Sequence, residues 1–221
     1  MSSREAFLSR VKRAALQGRQ YRVHLKPIPE RTGYLGVSGD LVERFANEVN
    51  TVGGHGLVVS DLAAAGVALN HLLQEAGATT AICWQHELLD RLGLAELLAA
   101  PGVTLFDYKR LSQLPPAEQR RILLTCDVGI TSCTWAIAET GTLMMCSGPG
   151  QERVASLLPP MHIAIIERQQ ILPDLIDAFA LLTPPPSNVT FITGPSKTGD
   201  IELQLTTGVH GPGKWRVIIV R

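Results

Sequence analysis

The sequence predicts an α/β fold with a largely parallel sheet covered by helices and an N-terminal helical arm. Three observations carry this expectation. Short apolar runs alternate with amphipathic helical stretches between residues 40 and 131, the signature of strand–helix–strand units. The strands are apolar throughout rather than alternating, as in sheets buried on both faces. The 221 residues are 45% apolar and 18% charged, enough for one buried core and too apolar for a disordered chain.

The elements follow in order. Over residues 4–18, Phe7, Leu8, Val11 and Ala15 share one helical face with basic residues around it, an amphipathic helix. Residues 19–39, with Pro27, Pro29, Gly33, Gly36 and Gly39, read as an extended linker. The expected organisation is therefore a basic helix and linker over 1–39 and an α/β domain over 40–221. Asp40 with Glu43 fits a capping box, and the helix it opens carries Leu41, Val42, Phe45, Val49 and Val52 inward until Gly53-Gly54. Leu57–Ser60 is a strand. Asp61 caps a helix that Gly77 ends. Thr79–Trp84 is a strand, 86–99 a helix, Val103–Tyr108 a strand and 116–125 a short helix. The rhythm then changes. Val128–Thr131, Thr142–Ser147, Met161–Glu167, Val189–Thr193 and Trp215–Val220 read as strands, with a helix over 174–182. Loops around 138–160 and 194–213 are rich in Gly, Ser, Thr and Pro, and sites in open α/β sheets sit in such loops.

Charge and composition exclude several classes. Lys+Arg and Asp+Glu both number 20, so the chain is no globally basic nucleic-acid binder. Residues 1–31 nevertheless hold eight basic and two acidic residues, a +6 arm on a −6 body, which points to docking. The longest uncharged stretch, Ala178–Ser196, is broken by Pro184, Pro185 and Pro186, so no membrane span is expected. Four cysteines at scattered spacing fit reduced thiols in the cytoplasm better than a disulfide framework. There is no Cys-x-x-Cys, His-Glu-x-x-His or clustered ligand set, so neither a metal nor an iron–sulfur cluster is expected on this chain.

Three constellations can carry chemistry. Ala138-Glu139-Thr140-Gly141-Thr142 sets a carboxylate beside two hydroxyls and a glycine. Glu139 can act as base, nucleophile or hydroxyl binder, or the segment is a surface turn. Gly194-Pro195-Ser196-Lys197-Thr198-Gly199-Asp200-Ile201-Glu202 resembles a phosphate loop, but its spacing does not fit Walker A. Its amides and Lys197 can hold an anion, or the segment is a loop and helix cap. Gly208-Val209-His210-Gly211-Pro212 exposes a histidine, the residue type suited to acid–base work, and His162 starts a strand that could line the same rim.

These motifs together carry a resemblance. Ala136–Thr142, Ser156–Ile166, Phe191–Glu202 and Gly208–Pro212, in this order and spacing, resemble the lactate utilisation protein C family of LUD-domain proteins. The likeness covers roughly residues 40–220, with Lys197 and Gly199 standing where that family commonly carries other residues. It implies a three-layer α/β/α sandwich, similar to CoA transferases, ribose-5-phosphate isomerase and glucosamine-6-phosphate deaminase. It implies a role in oxidising L-lactate to pyruvate beside two partner proteins that carry the iron–sulfur clusters, with no cofactor on this chain. The alternative is a free-standing enzyme or regulatory module for a small organic acid, CoA ester or sugar phosphate. In either case the expected catalytic pair is Glu139 and His210. The expected binding residues are Thr140, Gly141, Thr142, Arg153, His162, Ser196, Lys197, Thr198, Asp200 and Glu202, with Arg153 or Lys197 supplying the cation for a small acid.

Overall fold

The computed structural model describes residues 3–18, 36–99, 101–184, 186–198, 206–207 and 210–221. The chain divides into two compact units, Met1–Leu35 and Gly36–Arg221. In the first, helix α1 (Ser3–Gly18) leaves Phe7, Leu8, Val11 and Leu16 about half exposed.

The second unit opens with α2 (Leu41–Thr51). Asp40 caps it by accepting the Val42 and Glu43 N–H groups. The predicted capping box is only half made, because the Glu43 carboxylate turns to Arg221 at the far end of the chain. The domain then alternates as expected: β1 (His55–Val59), α3 (Leu62–Ala76), β2 (Thr80–Cys83), α4 (Glu87–Arg91), α5 (Leu94–Ala99), β3 (Thr104–Phe106), α6 (Tyr108–Ser112), α7 (Pro116–Thr125) and β4 (Val128–Thr131). The helix predicted over 86–99 is two helices, because Gly93 at φ 69° takes a left-handed turn between them. Helix α6 escapes the periodicity test because five residues make barely one turn. Its cap, Asp107 accepting the Arg110 N–H, was its one visible signal.

The second half holds β5 (Trp135–Ile137), β6 (Thr142–Cys146), α8 (Val154–Leu157), β7 (Met161–Glu167), β8 (Ile171–Leu172), α9 (Leu175–Ala180), β9 (Val189–Ile192), β10 (Lys197–Thr198), β11 (Thr206–Thr207) and β12 (Lys214–Val220). A 3-10 turn, Arg168–Gln170, links β7 to β8. Six strands form one wholly parallel sheet in the order β1-β12-β7-β4-β2-β3. At its heart Ile163, Ala164, Ile165, Ile166, Val217, Ile218 and Ile219 are fully buried, which is why these strands read as unbroken apolar runs. Asp127 ties the starts of β2 and β4 together, accepting the N–H and hydroxyl of both Thr79 and Thr80 at 2.9 Å.

Register assigns the residues of one sheet face. His162 pairs with Gly129 on one side and Trp215 on the other, and Gly56 pairs with Val217, so Gly56, Gly129, His162 and Trp215 point the same way. Helices α2 and α8 cover this face. A Cβ at Gly56 would meet the Ala46 backbone, and one at Gly129 would lie 1.6 Å from the Ala155 carbonyl.

A second sheet, in the order β8-β5-β6-β9, joins this layer. It is mixed, with β5 parallel to β8 and both other pairings antiparallel. Ala136, Ala138, Leu143 and Met145 face the main core, while Ile137 and Met144 pack on Ala178 beneath α9. The predicted layering therefore holds, with a small sheet added to one helical layer. Strands β5 and β8 were missed because three- and two-residue runs carry no measurable period. Among the described residues, no helix is long and apolar enough to cross a membrane.

Candidate functional site

The Glu139 motif forms the turn between β5 and β6. Gly141, at φ 62°, is pressed against α2, where an added Cβ would meet Val49 N at 2.6 Å and the Glu48 backbone. Packing against the helix is enough to require a glycine here. A threonine relay starts here: Thr140 Oγ1 lies 2.7 Å from Thr142 Oγ1, which lies 2.7 Å from Thr193 Oγ1. Glu139 is half-buried on the same turn, its N–H donating to the Pro173 carbonyl.

Lys197 also serves α2. Its Nζ donates to the Val52 carbonyl at 2.8 Å, beside Gly53, satisfying a carbonyl at the helix C-terminus where a cation is favoured. Neither reading of this loop anticipated that contact: the expected cap was by Thr198 or Asp200 on a following helix, whereas Lys197 closes the end of the preceding α2 and Lys197–Thr198 is strand β10. Thr198 pairs in β10 with Thr206 of β11. Asp200 and Glu202 lie outside the described residues.

Three predicted residues do meet. His162, Ser196 and His210 line a cavity of about 230 Å³ with Ser156, Thr193 and Trp215. It lies on the α2-and-α8 face, at the starts of β7 and β12. His162 is wholly buried, with Nε2 2.8 Å from Thr131 Oγ1. Burial pushes its pKa down to about 3, so the ring is neutral at physiological pH. Neither His162 Nδ1 nor Trp215 Nε1 has a hydrogen-bond partner among the described residues. His210 is exposed at the mouth and also borders a wider cleft of about 920 Å³ with Leu157, Leu158 and Lys214. Arg153 lies apart, in a groove with Ser147, Gly148 and Gln151. The pocket expected from the sequence is thus divided. His162, Ser196 and His210 converge, Glu139, Thr140, Gly141, Thr142 and Lys197 gather at the end of α2, and Arg153 belongs to neither group.

A second concavity went unread. Where β2, β4 and β7 end, a cleft of about 660 Å³ is walled by Trp84, His86, Arg91, Cys133, Cys146 and Glu167. Arg91 forks onto Glu167, with Nη1–Oε2 at 3.1 Å and Nη2–Oε1 at 2.5 Å. Gln170 locks the floor: its amide nitrogen donates to Ser132 Oγ and the Cys133 carbonyl, and its oxygen accepts the Glu167 N–H. His86 Nδ1 accepts the Leu88 N–H, and burial lowers the pKa of its ring. This is the carboxyl edge of the sheet, where open α/β folds place ligands. The signal available in the sequence was position alone, since Trp84, Cys133 and Glu167 stand at or just past predicted strand ends.

Residues 42–220 match the family described as LUD domain. The chain belongs to the LUD domain family. It is 35% identical over 161 residues to "Lactate utilization protein C" of Halalkalibacterium halodurans, covering 69% of this chain and 67% of that protein. It is 28% identical over 227 residues to the protein of the same name from Anoxybacillus flavithermus, with 98% of each chain covered. Among solved structures, a DUF162 family protein from Deinococcus radiodurans aligns with TM-score 0.56 and 20% identity, over 82% of this chain and 96% of that one, a likeness of fold.

Proposed function

We propose that this LUD-domain chain serves lactate utilisation in the cytoplasm, as the subunit without iron–sulfur clusters in a complex that oxidises L-lactate to pyruvate. The carrying observation is the end-to-end match, 98% of each chain, to a lactate utilisation protein C, the basic N-terminal arm included. Two iron–sulfur proteins are the proposed partners, with the +6 arm as the docking element. The cysteines fit this division of labour. Cys83, Cys126 and Cys133 are buried, and burial pushes all three thiols up, Cys83 to about 12, so none of the three is presented as an accessible thiolate.

The test is a pull-down of the tagged full chain from its host grown on L-lactate, with iron and lactate-dependent dye reduction assayed on the eluate. Co-purifying iron–sulfur proteins with activity are expected. An iron-free, inactive chain alone, together with undiminished growth of a deletion strain on L-lactate, overturns the proposal.

A further inference from the structure

We propose that the cavity between β7, β12 and β9 is a binding site for the carboxyl group of a small monocarboxylic acid, held between Trp215 Nε1 and His162 Nδ1. The site is argued from the cavity alone and is separable from membership of a lactate-oxidising complex.

Leaving a buried donor or acceptor unpaired costs about 1–3 kcal/mol. Here two such atoms, His162 Nδ1 and Trp215 Nε1, belong to fully buried residues that border one cavity. Their residues are register partners on neighbouring strands and point to the same face. Parallel strands lie about 4.8 Å apart, so the two side chains stand beside one another on that face. Trp215 sets the Cε3–Cζ3 edge of its ring against Gly54, so its N–H edge is turned away from that glycine.

The donor inventory selects the chemistry. Trp Nε1 can only donate. His162 Nε2 is engaged with Thr131, and its ring is neutral. If Thr131 donates to Nε2, then Nδ1 carries a proton, and the ligand must offer two acceptors, as a carboxylate does. If Nε2 donates to Thr131, then Nδ1 is an acceptor, and the ligand must offer one donor and one acceptor, as a protonated carboxylic acid does. A carboxyl group satisfies both tautomers.

Size and charge narrow the class. At about 230 Å³ the cavity falls below the usual range for drug-sized ligands. Its remaining wall is largely apolar, from Leu157, Phe191, Ile192 and Pro212. Lys197 is committed to Val52 and Arg153 lines a different groove, so no Lys or Arg among the described residues faces the cavity; a single carboxyl group rests on neutral donors or enters as the neutral acid, and each further carboxylate would add an uncompensated charge. Both nitrogens are closed off from bulk solvent. The Ser196 N–H donates to the Pro212 carbonyl at 2.8 Å and pins together two segments of the cavity wall.

The experiment is an NMR titration of the ¹⁵N-labelled full chain with acetate, propionate, L-lactate and pyruvate, with the matching primary amides as controls. The Trp215 indole resonance is assigned by Trp215→Phe and followed against those of Trp84 and Trp135. A saturable downfield shift of the Trp215 indole proton and a shift of the His162 ring nitrogens are expected with at least one acid. Affinity should fall at least tenfold in His162→Phe. It should fall likewise in Gly211→Val, which fills the mouth beside Ser196 and leaves the buried face intact. Three results overturn the site: no saturable shift with any acid, with the indole proton exchanging with an ordered water alone; a response to amides and to no acid; or a response undiminished in Gly211→Val.

Discussion

His162 makes a stability prediction whose size follows from its burial. The ring has no solvent exposure, and burial drives its pKa from 6.5 to about 3. The unfolded chain therefore binds one more proton than the folded chain between these limits. Protonation favours the unfolded state, so this contribution is intact above the unfolded value and is lost as pH falls toward the folded one. Between about pH 7 and about pH 4.5 the linkage relation gives a loss of about 2.5 kcal/mol from this side chain alone. That is a large share of a typical domain's ~5–15 kcal/mol. The assay is urea denaturation of the wild type and His162→Gln at both pH values. Glutamine stays neutral and can still reach Thr131, so every carboxylate titrates alike in the two proteins. The wild type should lose about 2.5 kcal/mol more than the variant. Parallel pH dependence would show that His162 is solvated or protonated in the folded chain and would refute the buried neutral ring.

Three further outcomes are expected. Gly141→Ala should cost about 3 kcal/mol, combining left-handed strain with a collision against Val49 and Glu48, whereas Gly77→Ala, left-handed but facing open space, should cost about 1 kcal/mol; chemical denaturation compares the two. Lys197→Met should remove the cap on the Val52 carbonyl and lower the denaturation midpoint by the equivalent of about 0.5–1 kcal/mol, without abolishing the fold. In native protein a maleimide should modify the half-buried Cys146 first, with Cys83, Cys126 and Cys133 reacting only in denaturant, as counted by mass spectrometry.

The elements legible in the sequence were those whose signal is local and long enough to repeat. Asp40, Asp61 and Gly77 marked helix ends because capping needs only the neighbouring backbone, and each caps as expected. The central strands of the parallel sheet were legible because burial on both faces leaves little room for polar residues. The small second sheet was half hidden. Its strands β5 and β8 are defined by partners far along the chain, Ala136 beside Ile171 and Ile137 beside Leu172, and not by any pattern of their own.

The same distinction governs the candidate sites. Glycine–threonine motifs attract attention as ligand loops because small residues admit close approach, but close approach to a helix uses the same residues. Gly141 against Val49, Gly194 against Val52 and Lys197 on the Val52 carbonyl all converge on the end of α2. What these motifs hold in place is the turn that carries Thr142, and through Thr142 the hydroxyl of Thr193 on the cavity wall. The motif residues are therefore structural toward α2 and positional toward the cavity. The atoms with unmet hydrogen-bonding capacity lie one layer deeper, on His162 and Trp215. His162 was legible as a strand-start histidine that could line the rim, but its unmet nitrogen was not, and Trp215 drew no attention, because an unpaired nitrogen is a property of three-dimensional surroundings. Substitution on the α2 side should thus move stability first, and substitution at His162 or Gly211 should move ligand affinity first. Lys197→Met and Gly211→Val, measured side by side for denaturation midpoint and for the Trp215 indole shift, separate the two roles. If Lys197→Met abolishes the ligand response while its midpoint is unchanged, the lysine serves the ligand and the capping account of this loop is wrong.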